Sequence, residues 1–308
     1  MLPPDLAPSA ASAHFVPTTE AWDDPLLAGL VARLRDMQSV LVCFSGGIDS
    51  TLVLAVAHHA LGERCVAMTA VSPSLSDAER SEAIAIAAHI GARHELVESN
   101  ELADENYAKN NVDRCFYCKS ELYRLSARKQ VEWNLAFSVN GTNLDDLGDY
   151  RPGLEAAKQF GARSPLVEAG ISKADVRRLA KLLNLPAWDK PAAACLSSRL
   201  PYGTRVTRER LAQISALEAE IRALGIRQAR VRWHLVGSAA TPNTAEAALA
   251  RIEVEKLELA RAFEARDLLV DAGKRCGFAY VTLDLAGYRT GSHNEVLRHR
   301  SLPVVSGS

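Results

Sequence analysis

Three groups of residues in this 308-residue chain have the types and spacing to do chemistry. The first is Ser45-Gly46-Gly47-Ile48-Asp49-Ser50, between the apolar run 39–44 and the apolar stretch 51–57. A Gly-rich turn from strand to helix binds phosphate, because the first N–H groups of the helix have no internal partner and point at the loop. The two glycines let the backbone approach an anion closely and form a nest of donors. The hydroxyls of Ser45 and Ser50 add two more. No Gly-Lys-Ser/Thr follows, so this is not a Walker loop. The second group is thiols. Cys115-Phe-Tyr-Cys118 places two sulfurs within reach of one metal or cluster. The same spacing suits a redox pair, half of a zinc site whose other half is missing, or an inert helix start. Cys195 has Arg199 four residues on, with Lys190 and Arg205 close in sequence. Such cations favour the nucleophilic thiolate; the bland alternative is a small buried cysteine beside alanines. The third group is charged. Arg230 and Arg232, two apart, would share one face of a strand and suit a phosphate clamp. Asp145, Asp146 and Asp149 form an acidic run that would bind Mg²⁺, position a substrate or cap a turn.

The elements around these residues alternate. Val40–Phe44, Arg64–Val71, His94–Val97 and Leu135–Val139 read as strands. Helical patterns cover Asp24–Met37, the stretch from Ser50 to about Leu61, Ser76–Ile90 with a capping-box start, and Cys118–Gln130. Strands alternating with helices of this length give a parallel sheet covered on both faces, with ligands at the carboxyl ends of the strands. The loop at Ser45 and Gly141-Thr142-Asn143 both fall at such ends. A proline-rich stretch, 149–204, holds one clear helix, Ser172–Leu183. Beyond it, helix Thr207–Leu224, strands Gln228–Leu235 and Ala250–Val254, helix Glu255–Ala272 and strand Phe278–Leu283 predict a smaller α+β domain. The expected organisation is a disordered leader over 1–22, an α/β domain over 23–204 and an α+β domain over 205–308.

Composition is that of an ordinary soluble protein. A formal net charge of −1 advertises no broad grip on nucleic acid. No apolar run is long enough to span a bilayer, and the Pro-, Ala- and Ser-rich start lacks the pattern of a signal peptide. A cytoplasmic location is expected, with the six cysteines as thiols rather than a disulfide frame. Cys43 and Cys65, inside apolar strands, read as small buried hydrophobes, as does Cys276.

Ser-Gly-Gly-Xaa-Asp-Ser resembles the PP-loop of the ATP pyrophosphatases, which cleave ATP between the α and β phosphates. Further segments carry a more specific resemblance. They are Gly141–Gly153 with its Asp-Tyr-Arg-Pro-Gly ending, Arg163-Ser-Pro-Leu166, Trp188-Asp-Lys-Pro191, Ala194-Cys-Leu-Ser-Ser-Arg199, Arg230-Val-Arg232, Ala250-Arg-Ile-Glu253 and Gly287–Ser292. Together with the loop they resemble the LarE family of ATP-dependent sulfur transferases, over about residues 25–297. The resemblance implies adenylation of a carboxylate on a pyridinium dicarboxylate mononucleotide and its conversion to a thiocarboxylate, a precursor of the nickel-pincer cofactor. ATP and Mg²⁺ are the implied cofactors. It also implies roles. Ser45, Gly46, Gly47 and Ser50 hold pyrophosphate, Asp49 binds Mg²⁺ or organises the loop, and the backbone of Ala70 meets adenine. Cys195 is the nucleophile, and Gly141 and Arg199 are among the cofactor-binding residues. Glu218, Arg230, Arg232 and Glu253 look like the family's phosphate- or metal-contacting set, with a solvated charged face as the alternative for Glu218. A branch of the family carries three cysteines, so Cys115, Cys118 and Cys195 are expected to hold a 4Fe-4S cluster whose open iron carries the sulfur. In the other branch the single cysteine gives up its own sulfur and becomes dehydroalanine.

Family members tend to form homo-oligomers, and neither a membrane nor a nucleic-acid partner is expected. The rival readings are a PP-loop tRNA thiolase, disfavoured by the neutral charge; an amidotransferase synthetase, disfavoured by the lack of a glutaminase domain; and a nucleotide-binding sensor that does not turn over. Two departures from the family pattern stand out: the insertion Val236–Leu249 and a longer leader.

Overall fold

The structure, a computed structural model, describes residues 17, 19–148, 152–186, 188, 194–236 and 247–289. Two compact units emerge. The first comprises residues 1–72, 79–99 and 115–193, the second 73–78, 100–114 and 194–308. The chain therefore lends two short segments, 73–78 and 100–114, to the second unit, and that unit begins at Ala194 rather than at the expected 205. The reason is local: these segments hydrogen-bond to the stretch 196–206 instead of to the parallel sheet.

The first unit is built on four parallel strands, β1 (Val40–Cys43), β2 (Cys65–Val71), β3 (Arg93–Glu98) and β4 (Phe137–Val139), in the order β3-β2-β1-β4. The register sets Val40 beside both Cys65 and Phe137. β1 is buried along its whole length because both its faces are covered. Val40 and Val42 enter a core with helices Pro25–Asp36, Ile48–Leu61 and Lys173–Leu182. Leu41 and Cys43 enter the opposite core, with Tyr123 and Leu125 of helix Arg114–Glu132 and with Ala156. The helix Pro25–Asp36 starts where Asp24 caps the N–H groups of Leu26 and Leu27, and Ser172 with Asp175 forms a capping box at Lys173–Leu182. Most of the expected leader lies outside the described residues. Its end, Thr19–Asp23, is a 3₁₀ turn in which Ala21 is buried and Trp22 stacks on His59 at 3.6 Å. The side chains of Ala21 and Trp22 both pack against the core of the first unit.

The second unit carries β5 (Ala229–Val236), antiparallel to β6 (Ala247–Val254), which is parallel to β7 (Tyr280–Leu283). Period-two alternation divides its faces. Val231, Trp233, Ala250 and Ile252 are buried on one side, while Arg230, Arg232, Arg251 and Glu253 share the other. Helix Arg208–Ala223, capped by Thr207, contributes Leu211, Ile214, Leu217 and Ile221 to the core of this unit. The helix expected over 255–272 is broken into a turn at Lys256–Glu258 and helices Leu259–Glu264 and Arg266–Arg275. Residues 237–246 of the insertion lie outside the described set, as do Asp149 and Lys190. Among the described residues no helix is long and apolar enough to cross a membrane.

Candidate active site

The loop after β1 closes on itself through its serines. Ser50 Oγ donates to the Gly47 carbonyl at 3.1 Å and accepts from the Ser45 N–H at 3.2 Å, and the two hydroxyl oxygens lie 3.1 Å apart. Ser50 is buried and Ser45 exposed, so Ser50 stitches the loop while Ser45 faces out. Gly46 has φ +67°, and a Cβ there would sit 3.2 Å from Ala83, so position 46 needs glycine on two counts. Gly47 is the N-cap of helix Ile48–Leu61, and no side chain caps that end. A helix end without a side-chain cap is chemically suited to an anion.

Loop and strand end face a cavity of ≈ 350 Å³. Ser45, Gly47, Asp49, Ser50 and Gly141, all predicted, line it together with Asp146. Ala70, at the end of β2, is not one of its lining residues. Gly141 is pressed against the loop, since a Cβ there would lie 2.8 Å from the Ser50 nitrogen. Asp49 accepts from Asn143 Nδ2 at 3.0 Å through one oxygen and from Lys173 Nζ at 2.5 Å through the other. In this state it organises the loop. The acidic run caps a turn: Asp146 accepts from the Asn143 N–H, and Asp145 from the Lys173 N–H.

Two lysines here escaped sequence reasoning. Lys173 begins a helix 124 residues from its partner, a separation no local pattern reports. Lys119 lines the cavity, its stem crossing Gly153, where a Cβ would lie 2.8 Å from Lys119 Cγ. Burial pulls the Lys119 ammonium down, but Tyr123 and the thiols of Cys118, Cys43 and Cys115 outweigh it and raise its pKa. The only sequence signal was its place directly after Cys118. The helix bearing the Cys-x-x-Cys pair starts at Arg114, earlier than expected, so both cysteines lie in its first turns, Cys115 exposed and Cys118 half-buried. Cys43 and Cys65 are buried thiols, with burial pushing them up to about 11 and about 12. Cys276 is half-buried rather than buried, and burial raises it as well.

Cys195 belongs to the second unit. It is half-buried and precedes a 3₁₀ turn, Leu196–Arg199. Arg199, expected at a ligand, is 2 % exposed. Its Nη1 donates to the carbonyls of Ala194 and, at 3.0 Å, of Cys195; its Nε donates to Glu218 at 2.9 Å. Glu218 is neither solvated nor open to a metal here, because both oxygens meet Arg199 and one also accepts the Val231 N–H. Glu253, fully buried, accepts from Arg232 at 2.8 Å and pairs with Arg251 at 3.0 Å. Arg232 also donates to the Ser198 carbonyl at 2.9 Å. Arg230 is half-buried beneath Tyr288, 5.6 Å from the ring centre. Among the described residues no three His, Cys, Asp or Glu side chains are grouped to hold a metal ion. Of the residues expected to hold a cluster or a metal, Asp49, Cys115 and Cys118 belong to the first unit, and Cys195, Glu218 and Glu253 to the second.

Comparison with known proteins agrees with this chemistry. A family model described as asparagine synthase matches residues 23–124. The pyridinium-3,5-bisthiocarboxylic acid mononucleotide synthase of Lactiplantibacillus plantarum is 38% identical over 280 residues, 91% of this chain and 97% of that protein. An uncharacterized Synechocystis protein is 46% identical over 264 residues, 85% of this chain and 94% of its own length. An uncharacterized Methanocaldococcus jannaschii protein is 28% identical over 253 residues, 82% of this chain and 92% of its own. A phosphate-binding loop of PP-loop type, its parallel sheet and identity over nearly the full length of the Lactiplantibacillus enzyme place this chain in the LarE family of ATP-dependent sulfur transferases.

Proposed function

We propose that this enzyme adenylates a carboxylate of a pyridinium dicarboxylate mononucleotide and replaces its oxygen with sulfur, in nickel-pincer cofactor synthesis. The observation that carries the reading is the 38% identity to a synthase whose product is a pyridinium bisthiocarboxylic acid mononucleotide. A carboxylate resists nucleophiles, and oxide is a poor leaving group. Transfer of AMP from ATP to the carboxylate removes both obstacles and releases pyrophosphate. The uncapped N-terminus at Gly47, with Ser45 and Lys119, is suited to hold that pyrophosphate. Asp49 and Asp146 line the cavity and would hold Mg²⁺ once Lys173 leaves Asp49. The ion would neutralise phosphate charge. The Cys195 thiolate then attacks the acyl carbon and AMP departs, leaving a thioester. Loss of the Cys195 α-proton to a base and cleavage of its Cβ–S bond release the thiocarboxylate and leave dehydroalanine.

A cluster on Cys115, Cys118 and Cys195 is the second reading. Its support is that Cys115 and Cys118 lie one helical turn apart, the first exposed and the second half-buried, with the Lys119 side chain near both. Bound there, a 4Fe-4S cluster would supply the sulfur in place of Cys195. We further assign the enzyme to the cytoplasm and to a homo-oligomer, with a small-molecule substrate and neither nucleic acid nor membrane as partner.

Incubation with ATP, Mg²⁺ and the pyridinium dicarboxylate nucleotide, followed by peptide mass spectrometry, tests the reading. Sacrificial transfer lowers the mass of the Cys195 peptide by about 34 Da, one sulfur and two hydrogens, because the sulfur leaves in the thiocarboxylate. An unchanged peptide with thiolated product, and iron with acid-labile sulfide after anaerobic reconstitution, selects the cluster. ADP in place of AMP overturns the PP-loop chemistry.

A further inference from the structure

The turn that carries Cys195 is held by its carbonyls, and the residues that hold it are not all those the motif contains. Arg199 takes the carbonyls of Ala194 and Cys195, and Arg232 takes that of Ser198. Further grips come from one segment, 107–114. Arg114 Nη1 donates to the Ser197 carbonyl at 2.8 Å. Tyr107 and Ser197 share a hydroxyl–hydroxyl bond of 2.6 Å. Asn110 Nδ2 donates to the carbonyls of Pro201 at 2.8 Å and Leu200 at 3.3 Å, and its Oδ1 accepts from Arg114 at 2.6 Å. Arg114 therefore joins Asn110 to Ser197 through a single nitrogen. The backbone closes the same clamp: Gly203 donates to the Asn110 carbonyl and Val206 to that of Ala108. On the other side Leu196 N–H donates to the Ser74 carbonyl, and Ser74 Oγ donates to buried Glu101 at 2.7 Å.

Two features mark this as a built device rather than incidental packing. Asn110 is 0% exposed and sits at φ 55°, a conformation that asparagine tolerates better than other non-glycine residues. Arg114 is 4% exposed. A buried guanidinium is costly to keep unless its donors are matched, and here Nη1 is matched by the Ser197 carbonyl and by Asn110. Free carbonyls in a short turn would let it re-form in other conformations; side-chain donors on four neighbouring carbonyls, at 194, 195, 197 and 198, leave it one.

We infer that Tyr107, Asn110 and Arg114 are positioning residues for the Cys195 thiol. They act on the sulfur-transfer half of the reaction and not on adenylation. The inference rests on the reading of Cys195 as the sulfur-side nucleophile, but its first measurement does not. Arg114→Met and Asn110→Gly, which keeps the backbone conformation and removes the side chain, would be compared with wild type; Tyr107→Phe and Arg114→Lys serve as milder variants. Iodoacetamide alkylation of the Cys195 peptide, followed against pH without substrate, reads the placement of the thiol directly. The second readout is the ratio of thiolated product to AMP.

Misplacement by about 1 Å costs up to about 100-fold. The expected result is a change of at least about tenfold in Cys195 alkylation and a comparable fall in product per AMP, with AMP release kept. Arg114→Lys, still able to donate to both acceptors, recovers part of the loss. The inference is overturned by Cys195 alkylation within about twofold of wild type in folded variants. Loss of AMP release in step with product, with Arg114→Lys no better than Arg114→Met, also overturns it. Altered alkylation with no thiolated product even in wild type leaves the clamp standing and sinks the substrate reading instead.

Discussion

At the scale of single residues, partners decide what a charged side chain can do. Arg199 and Glu218 look from sequence like ligand contacts, and each is consumed by the other. Both are 2% exposed, so the pair has left water, and its worth depends on complete satisfaction. It is well satisfied: Glu218 also accepts the Val231 N–H, and Arg199 also reaches two carbonyls and Ser198 Oγ. Breaking such a pair from one side leaves a buried charge uncompensated, which costs about 3–5 kcal/mol. Glu218→Gln is therefore expected to lower the opening free energy of β5 by about that amount. Hydrogen exchange at the Val231 amide checks it. Protection there equal to wild type would mean that the pair is neutral and that Glu218 is held for another purpose. Partnerships of this kind are hidden from the sequence because they join positions 19 and 21 residues apart, on different elements, as at Arg199–Glu218 and Arg232–Glu253.

At the scale of elements, the legible parts are those whose signal is local. The loop at Ser45 announces itself because strand, glycines and helix are contiguous, and β1, β2 and β5 fall where their apolar runs end. The caps at Asp24, Ser172 and Thr207 are equally local. What the sequence hides is how distant loops support that turn. The loop after β4 bears on the first turn of helix Ile48–Leu61 at Gly141 and ties Asp49 through Asn143, across 94 residues. A methyl group at 141 would have to push backbone against backbone, at 2.8 Å from Ser50 N and 3.0 Å from the Asp49 carbonyl carbon. Overpacking costs about 1–3 kcal/mol, and here it falls on the phosphate site rather than on a deformable side chain. Gly141→Ala is expected to keep the fold, lower stability by about 1–3 kcal/mol and reduce ATP-dependent AMP release by about tenfold or more. Steady-state AMP formation and thermal unfolding measure the two effects. Unchanged AMP formation would place pyrophosphate away from the helix end.

At the scale of the whole molecule, each unit carries a histidine kept neutral by its setting. His94 on β3 is depressed by burial, with Glu95 opposing. It also meets Thr69 Oγ1 at 2.8 Å, whose own proton goes to the Phe44 carbonyl, so the imidazole Nε2 is the donor. His234 on β5 is depressed by burial and by the charges of Arg251 and Arg232, with Glu253 opposing, and its Nε2 accepts from Arg251 at 3.3 Å. The sign of the pH effect follows from the direction of both shifts. A histidine whose folded pKa lies below 6.5 binds fewer protons folded than unfolded as pH drops past that value. Its contribution is complete above 6.5 and is lost as pH falls through the depressed folded pKa. The lowered carboxyls of Asp24 and Asp175 act in a separate window, below their ordinary 3.8. The melting temperature is thus expected to be level from about pH 7 to 8 and to fall between about pH 6.5 and 5. His94→Gln, able to keep the donor to Thr69 without titrating, should flatten part of that fall. A melting temperature that stays level down to pH 5 in the wild type would mean that neither histidine is held neutral, and that the strand ends around Phe44 and Arg251 accept a further positive charge without loss.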